Sequence, residues 1–530
     1  MIRNYKIFYN YINNMKIEHS GTFPYSKILL YGMIIEIGLF SFITSWYFYP
    51  WDFLSYLLNG DYLFGNGEYY EIYRPPCLSF FLFLLKLFFQ NKYLILFSFI
   101  FMSSIFFIYS IEHILNSLPI KNRDHARLLI FFVLGMNPVF IAFSFIPSGT
   151  EIISISFAML GISYLLSSNG IKDATLSGIL LSLSSLTRYN FLILFPILFF
   201  HRKLKKIFFA IVSFSMPWLF WLIYNKVMYG KFLYSFIDSY FLNVYYRETI
   251  SQSPSFNELL FLFVIIITTS LFLIYVLKKL LFYHIEYKKQ IIALLFISLY
   301  ILLTSLYTFI IMPLKIKRYI YPITISYILF VLIYQMLISS KRKVKINKRT
   351  IKIGAISFII LLVSFNIFYA QYLSFYEFKN HYAPIQEEIE NVYEYIKNAS
   401  CIYSDYWIYY NALNIKAYPE GFLYDPLTKS FDTRNLNSNC SYIILHENKV
   451  DIFPYYNETF KMKEINQTKI YFISSVLLRK ESTQNAYFKR YKNKVVIDNI
   501  YWYSLLYEDP NLFYKVCSDA FGIFSFAMCK

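Results

Sequence analysis

WDFLSYLLNGDYLFGNGEYYEIYRPP, residues 51–76, gathers Asp52, Asp61, Glu68, Glu71 and Arg74-Pro75-Pro76 immediately after the first long apolar run of the chain. Ionisable groups beside lipid are costly and by default mark function. A stretch this rich in them, just past a first membrane span, is expected to hold a reaction site at the membrane surface. The surrounding composition makes the membrane assignment. Of 530 residues, 57% are hydrophobic and only 15% are charged, which is too apolar for a soluble chain of this length.

Apolar runs recur through the first 372 residues, many close to the ~20 residues that a bilayer core requires. They predict eleven spans: 26–48, 94–115, 128–146, 152–168, 173–187, 189–200, 207–224, 257–278, 290–312, 319–338 and 351–372. Residues 77–89 are apolar but short, contain Lys86 and follow two prolines. They are expected to form a re-entrant or surface-lying helix. The spans 173–187 and 189–200 meet at Thr187-Arg188-Tyr189 and predict a helical hairpin with an arginine at its tip.

Charge divides the chain at the same place as hydropathy. Residues 1–372 hold 33 Lys and Arg against 14 Asp and Glu, while residues 373–530 hold 17 against 18. The basic excess sits in short loops between spans, not on one face of a folded domain, so nucleic acid is not an expected partner. By the positive-inside rule, the clusters Arg3/Lys6/Lys16, Lys121/Arg123/Arg127, Arg202/Lys203/Lys205/Lys206, Lys278/Lys279/Lys288/Lys289 and Lys341–Lys352 mark the cytoplasmic side. The N-terminus is then cytoplasmic, the first span is retained in the mature protein, and the tail lies outside in a multi-pass cell-membrane protein.

The tail, 373–530, alternates helical and strand-like segments and predicts a small α/β domain. The sequons Asn398, Asn439, Asn457 and Asn466 all fall within it, as an outside location would allow. Cys401 and Cys440 lie in or beside two of its strands; the residues leave open a disulfide or two thiols. The expected fold is thus a polytopic α-helical membrane domain, 1–372, followed by an extracytoplasmic α/β domain, 373–530.

Several chemistries lack their motifs. There is no P-loop, no GxGxxG after a strand, no HExxH and no nucleophile elbow, and glycine is sparse at 15 residues. An anionic ligand must be held by basic side chains or helix ends. Arg74, Lys86, Lys92, Arg188, Lys226, Lys231, Arg247, Lys315, Lys317 and Arg318 fall on or near the outer side against the charge trend. Lys315, Lys317 and Arg318, packed into PLKIKRYIYP before a span, suit a lipid phosphate. Asp52 lies at the outer end of the first span, and Glu151 in IPSGTEII is expected at a similar depth. Asp61, Glu68 and Glu71 read as solvated loop acids, and Glu36 as a satisfied interior residue.

These residues carry a resemblance. Asp52, Gly60-Asp61 and Arg74-Pro75-Pro76 resemble the first outer loop of GT-C membrane glycosyltransferases. The segment NPVFIAFSFIPSGTEIISISFAMLGISYLL is similar to that superfamily's second acidic loop, with Glu151 in the acidic position. LSGILLSLSSLTRYNFLILFP resembles the following hairpin with its Thr-Arg, and KRYIYP resembles the Arg-Tyr-x-x-Pro before a late span. The aminoarabinose-transferase and protein O-mannosyltransferase-like branch matches best. Asp52 is followed by Phe where the mannosyltransferases have Glu, and SDYWIYY lacks the order of the oligosaccharyltransferase Trp-Trp-Asp-Tyr-Gly.

The resemblance implies transfer of a sugar from a polyprenyl-phosphate-linked donor to a lipid, glycan or protein acceptor outside the cytoplasm. It implies Asp52 as general base, with Arg318, Lys315, Lys317, Arg74 and Arg188 on the donor phosphate. Glu151 either orients the acceptor or holds a divalent cation. Alternatives are transfer of whole glycans, as by an oligosaccharyltransferase, and lipid or solute transport without bond chemistry. Transporters commonly show internal repeats, and none is visible here.

Overall fold

The computed structural model describes residues 25–47, 50–65, 71, 73–144, 150–167, 170–201, 203–245, 256–282, 287–311, 321–339, 349–419, 424–425, 430–431, 439–446, 461–465, 468–472, 494–497, 500–503, 510–521 and 529. The first half is a chain of helices: α1 Tyr25–Tyr47, α2 Trp51–Leu63, α3 Pro76–Phe88, α4 Lys92–Ser117, α5 Arg123–Gly135, α6 Pro138–Phe143, α7 Thr150–Ser167 and α8 Ile171–Thr187. A 3-10 helix, Tyr189–Phe200, leads to α9 Leu204–Tyr229, α10 Tyr234–Tyr240, α11 Phe256–Phe282, α12 Lys288–Ile311, α13 Ile323–Ser339 and α14 Arg349–Ile396. Six helices among the described residues are long and apolar enough to cross a membrane: α1, α4, α7, α9, residues 262–281 of α11 and residues 288–310 of α12. This is a multi-pass, mostly helical membrane fold.

The helix ends follow local chemistry. Asn91 and Asn122 cap α4 and α5 through their side chains, accepting from Tyr93 N at 2.8 Å and His125 N at 3.0 Å. Gly230 closes α9 in the left-handed region at φ 77°. The expected span 128–146 is instead broken in two. Asn137 caps α6 by accepting from Val139 N and Phe140 N, and Pro138 occupies its first position. An Asn-Pro pair starts a helix more readily than it continues one.

The short apolar segment is α3, thirteen residues long and about 20 Å at 1.5 Å per residue, less than the ~30 Å hydrocarbon core. Pro75 holds an extended conformation before it, and Pro76 opens it. It packs beside α2 at Gly60, where a Cβ would come within 2.6 Å of the Ser79 carbonyl oxygen. Only glycine allows so close a backbone approach. The hairpin read at residues 173–200 is α8 followed by the 3-10 helix, with Pro196 inside the second limb.

Hydropathy changes near residue 372, but the backbone does not: α14 runs without interruption for 48 residues. It delivers the chain into the tail, where β1 Ile402–Ser404, α15 Trp407–Ala412, β2 Ala417–Pro419, β3 Tyr424–Asp425, β4 Ser430–Phe431, β5 Tyr442–Leu445, β6 Lys461–Ile465 and β7 Thr468–Phe472 follow. A five-stranded sheet has the order β2-β1-β5-β7-β6. Strands β2, β1 and β5 are parallel, with Tyr403 opposite Tyr418 and Ile443; β7 is antiparallel to both β5 and β6. Strands β8 Lys494–Ile497 and β9 Ile500–Tyr503 form a separate pair, and α16 Pro510–Phe521 ends the described fold. The tail is therefore α/β, as its sequence alternation predicts.

Cys401 and Cys440 are disulfide-bonded beside β1 and β5. A second disulfide, Cys517–Cys529, ties α16 to the C-terminus and was not among the expectations. The tail also rests on the helical part: Tyr240 donates to Asp519 at 2.8 Å, and Tyr234 stacks on Phe513.

Candidate active site

Two charged clusters gather acids and arginines singled out in the sequence, the first of them next to the tail. The first is built on α2. Trp51, Asp52, Ser55 and Asn59 recur at helical spacing and present one polar face on an otherwise apolar helix. Glu71 and Arg74, later in the chain, lie against that face.

Arg74 Nη2 donates to Asp52 Oδ1 at 2.8 Å, and Arg74 Nε donates to Glu71. The Ser55 hydroxyl also donates to Glu71, and Trp51 Nε1 and the Tyr73 hydroxyl lie 3.4 Å from its two oxygens. Asn59 grips the Glu71 backbone from both sides: its Oδ1 accepts from Glu71 N at 2.8 Å and its Nδ2 donates to Glu71 O at 3.1 Å. The Arg74 guanidinium lies 5.0 Å from the Tyr56 ring centre and 5.2 Å from that of Tyr73, within cation–π range.

Two expectations are corrected here. Glu71 is only 5% exposed and Asp61 only 8%, so neither is a solvated acid. Asp61 accepts from Lys86 Nζ at 2.6 and 2.8 Å, joining α2 to α3. A buried carboxylate needs such partners. Asp52 differs, with its side chain 24% exposed while that of Arg74 is 8% exposed. It is the carboxylate of this cluster that a second molecule can reach.

In the second cluster the carboxylate is enclosed, while Arg188 keeps 13% of its side chain exposed. Glu151, in the first turn of α7, is fully buried where the helix N-terminus favours an anion. Arg188 Nη1 donates to Glu151 Oε1 and lies 3.2 Å from Thr150 Oγ1, while Thr150 donates to Glu151 Oε2 at 2.9 Å. Both carboxylate oxygens are engaged. Arg188 is the extended residue between α8 and the 3-10 helix, with φ −147° and ψ 119°, and that break in the helix turns its side chain toward α7.

Tyr189 accepts a 3.0 Å hydrogen bond from Trp221 Nε1 and packs against Trp218 and Phe236. Asp238, fully buried on α10, is an acid that the sequence reading passed over. Tyr321 feels the charges of both Glu151 and Arg188, and shares a 2.8 Å hydrogen bond with Ser144. Lys315, Lys317, Arg318 and Glu68 lie outside the described residues. No group of three or more His, Cys, Asp or Glu among the described residues is arranged to hold a metal ion.

The tail forms a roof over the first cluster. The Trp51 ring meets Trp407 at 6.0 Å and Tyr409 at 5.6 Å, both edge to face. Beneath α15, Asp405 Oδ1 and His446 Nδ1 are 2.6 Å apart, and His446 Nε2 is 2.9 Å from the Tyr410 hydroxyl. Burial pushes the Tyr410 hydroxyl well above its ordinary pKa, keeping it protonated within this bond. Beside the roof is a cleft of ≈ 120 Å³ lined by Trp46, Lys92, Tyr93, Tyr409 and Glu390 among others.

No family model matches the sequence, and no curated protein matches it. Solved structures do. The structure of ArnT, the aminoarabinose transferase, from Cupriavidus metallidurans bound to undecaprenyl phosphate aligns with a TM-score of 0.50 and 10% identity. The match covers 84% of this chain and 99% of that one. An Archaeoglobus fulgidus oligosaccharyltransferase, tethered to an acceptor peptide containing an NVT sequon, aligns with a TM-score of 0.38 and 12% identity over 79% of this chain and 69% of that one. The second likeness is too distant to carry an argument. On the first, the chain shares the fold of that aminoarabinose transferase structure.

Proposed function

We propose that the protein transfers a sugar from a polyprenyl-phosphate-linked donor to an acceptor on the extracytoplasmic side of the membrane. The observation that carries this reading is the accessible Asp52 held by Arg74 at 2.8 Å in a chain with the GT-C fold. Its placement is supported by the two disulfides of the tail, which persist in oxidising compartments, and by the basic loops assigned to the cytoplasm. ArnT was solved with undecaprenyl phosphate, which supports a lipid phosphate as the donor's leaving group.

In this mechanism Asp52 takes the proton from the acceptor nucleophile as it attacks the anomeric carbon. The bond from that carbon to the phosphate oxygen breaks, and polyprenyl phosphate leaves with the electron pair. Arg74 fixes the orientation of Asp52. Its charge is already shared by Asp52 and Glu71, and that of Arg188 is matched by Glu151, so neither is the main phosphate ligand. That role falls to Arg318 with Lys315 or Lys317, which stabilise the charge that develops on the leaving group. Tyr321, three residues beyond Arg318, stands near the Glu151–Arg188 pair. Glu151, with both oxygens engaged, holds Arg188 in place and does not need a cation of its own.

The test uses purified protein in lipid nanodiscs with three substrates in parallel: a polyprenyl-phosphate monosaccharide, a diphosphate-linked oligosaccharide and a labelled lipid for translocation. Release of polyprenyl phosphate from the first is the expected result. Consumption of the second alone would indicate a glycan transferase. Translocation without release of either would indicate a transporter.

A further inference from the structure

Glu36 is the twelfth of the 23 residues of α1, so it sits near the middle of the bilayer. It accepts from Gln371 Nε2 of α14 at 2.8 Å, its single polar contact among the described residues. It is nevertheless exposed, on the same face of α1 as Gly32 and Leu39, which corrects the expectation of an interior residue. Mid-membrane carboxyl groups almost always face a bundle interior or a water-filled cavity. This one faces where lipid would be.

Glu36 belongs to a continuous stripe. Tyr25, Ile28, Gly32, Glu36, Leu39, Ile43 and Trp46 are all exposed and spaced three or four residues apart along α1. One turn before the carboxyl group is Gly32, where an added Cβ would meet nothing within 4 Å. No packing within the protomer therefore requires a glycine there. A notch one helical turn from a hydrogen-bonding group is what membrane helices use to approach closely and to fix their register.

We propose that the Gly32–Glu36 face of α1 docks a transmembrane helix of a partner protein that brings a lysine or arginine to the middle of the membrane. Charge complementarity selects this occupant. One Glu36 oxygen is held by the Gln371 amide, and the group still presents an acceptor outward. A second copy of this chain would bring another carboxyl group to the same point, not a cation. The backbone of the partner crosses at Gly32, and its basic side chain completes the pairing begun by Gln371.

The probe is a labelled poly-leucine transmembrane peptide with one central lysine, compared with an all-leucine peptide, in phosphatidylcholine vesicles carrying the full-length protein. Energy transfer reports binding. The lysine peptide is expected to bind about tenfold more tightly than the all-leucine peptide, and the preference is expected to vanish in E36Q and in G32L. E36Q keeps a side chain that Gln371 can bond, and G32L points a side chain into open space, so both should keep the thermal midpoint of the wild type. Equal binding of the two peptides would overturn the proposal. So would a preference that survives either substitution, or self-association of the protein that G32L dissolves, which would make the occupant a second copy.

Discussion

The Asp52–Arg74–Glu71 cluster and the Glu151–Arg188 pair use the same side-chain chemistry to opposite ends. In the first, two carboxylates share one arginine and one of them remains 24% exposed. In the second, one carboxylate meets one arginine, and Glu151 is fully buried. A cluster with surplus negative charge and a partly exposed carboxylate can accept a proton from a second molecule. A charge-matched pair whose carboxylate is fully buried is suited to positioning what surrounds it. On the proposed function, the first loop carries the chemistry and the second acidic segment supplies its scaffold.

Removing the shared cation should have the largest effect. Arg74→Met leaves Asp52 and Glu71 facing each other without compensation. It is expected to cost about 3–5 kcal/mol of stability and to reduce transfer at least ~100-fold, measured by thermal unfolding and by sugar release. The charge-matched pair should behave differently. Arg188→Met or Glu151→Leu alone is expected to cost about 3–5 kcal/mol, whereas the double apolar variant should return close to wild-type stability. Non-recovery in the double variant would mean that the pair does more than hold the scaffold.

A smaller effect is expected from Arg318→Ala, which removes one charge-assisted hydrogen bond worth about 1.5–3 kcal/mol. It should weaken donor binding roughly 10- to 100-fold while leaving acceptor affinity unchanged, as titration of each substrate would show. The smallest concerns the roof. Trp51→Phe keeps aromatic packing on Trp407 and Tyr409 but loses the 3.4 Å contact to Glu71, and should cost about 1 kcal/mol of stability.

Several spans were legible in the sequence because hydropathy is local. Those at 26–48, 94–115 and 152–168 match α1, α4 and α7 to within two residues. The Asn137-Pro138 break was read through as one span, 128–146, although the pair is a turn signal inside an apolar run. The burial of Glu71 was not legible. It depends on Glu71 lying against α2, and the clue that could have shown it was the Trp51, Ser55, Asn59 repeat, which leaves a polar face requiring a partner. The Asp61–Lys86 pair depends on α2 and α3 lying side by side, a contact that Gly60 permits but no local pattern announces. Asp238 escaped notice because it stands alone between aromatic residues, and its burial is set only in three dimensions.

The difference between the two clusters is tested most directly by Asp52→Asn in nanodiscs, read for both donor binding and single-turnover release of polyprenyl phosphate. The account predicts wild-type binding of the polyprenyl-phosphate sugar with release slowed by about 10²–10⁴-fold. Release at the wild-type rate would contradict it, and would move the chemistry away from the first loop.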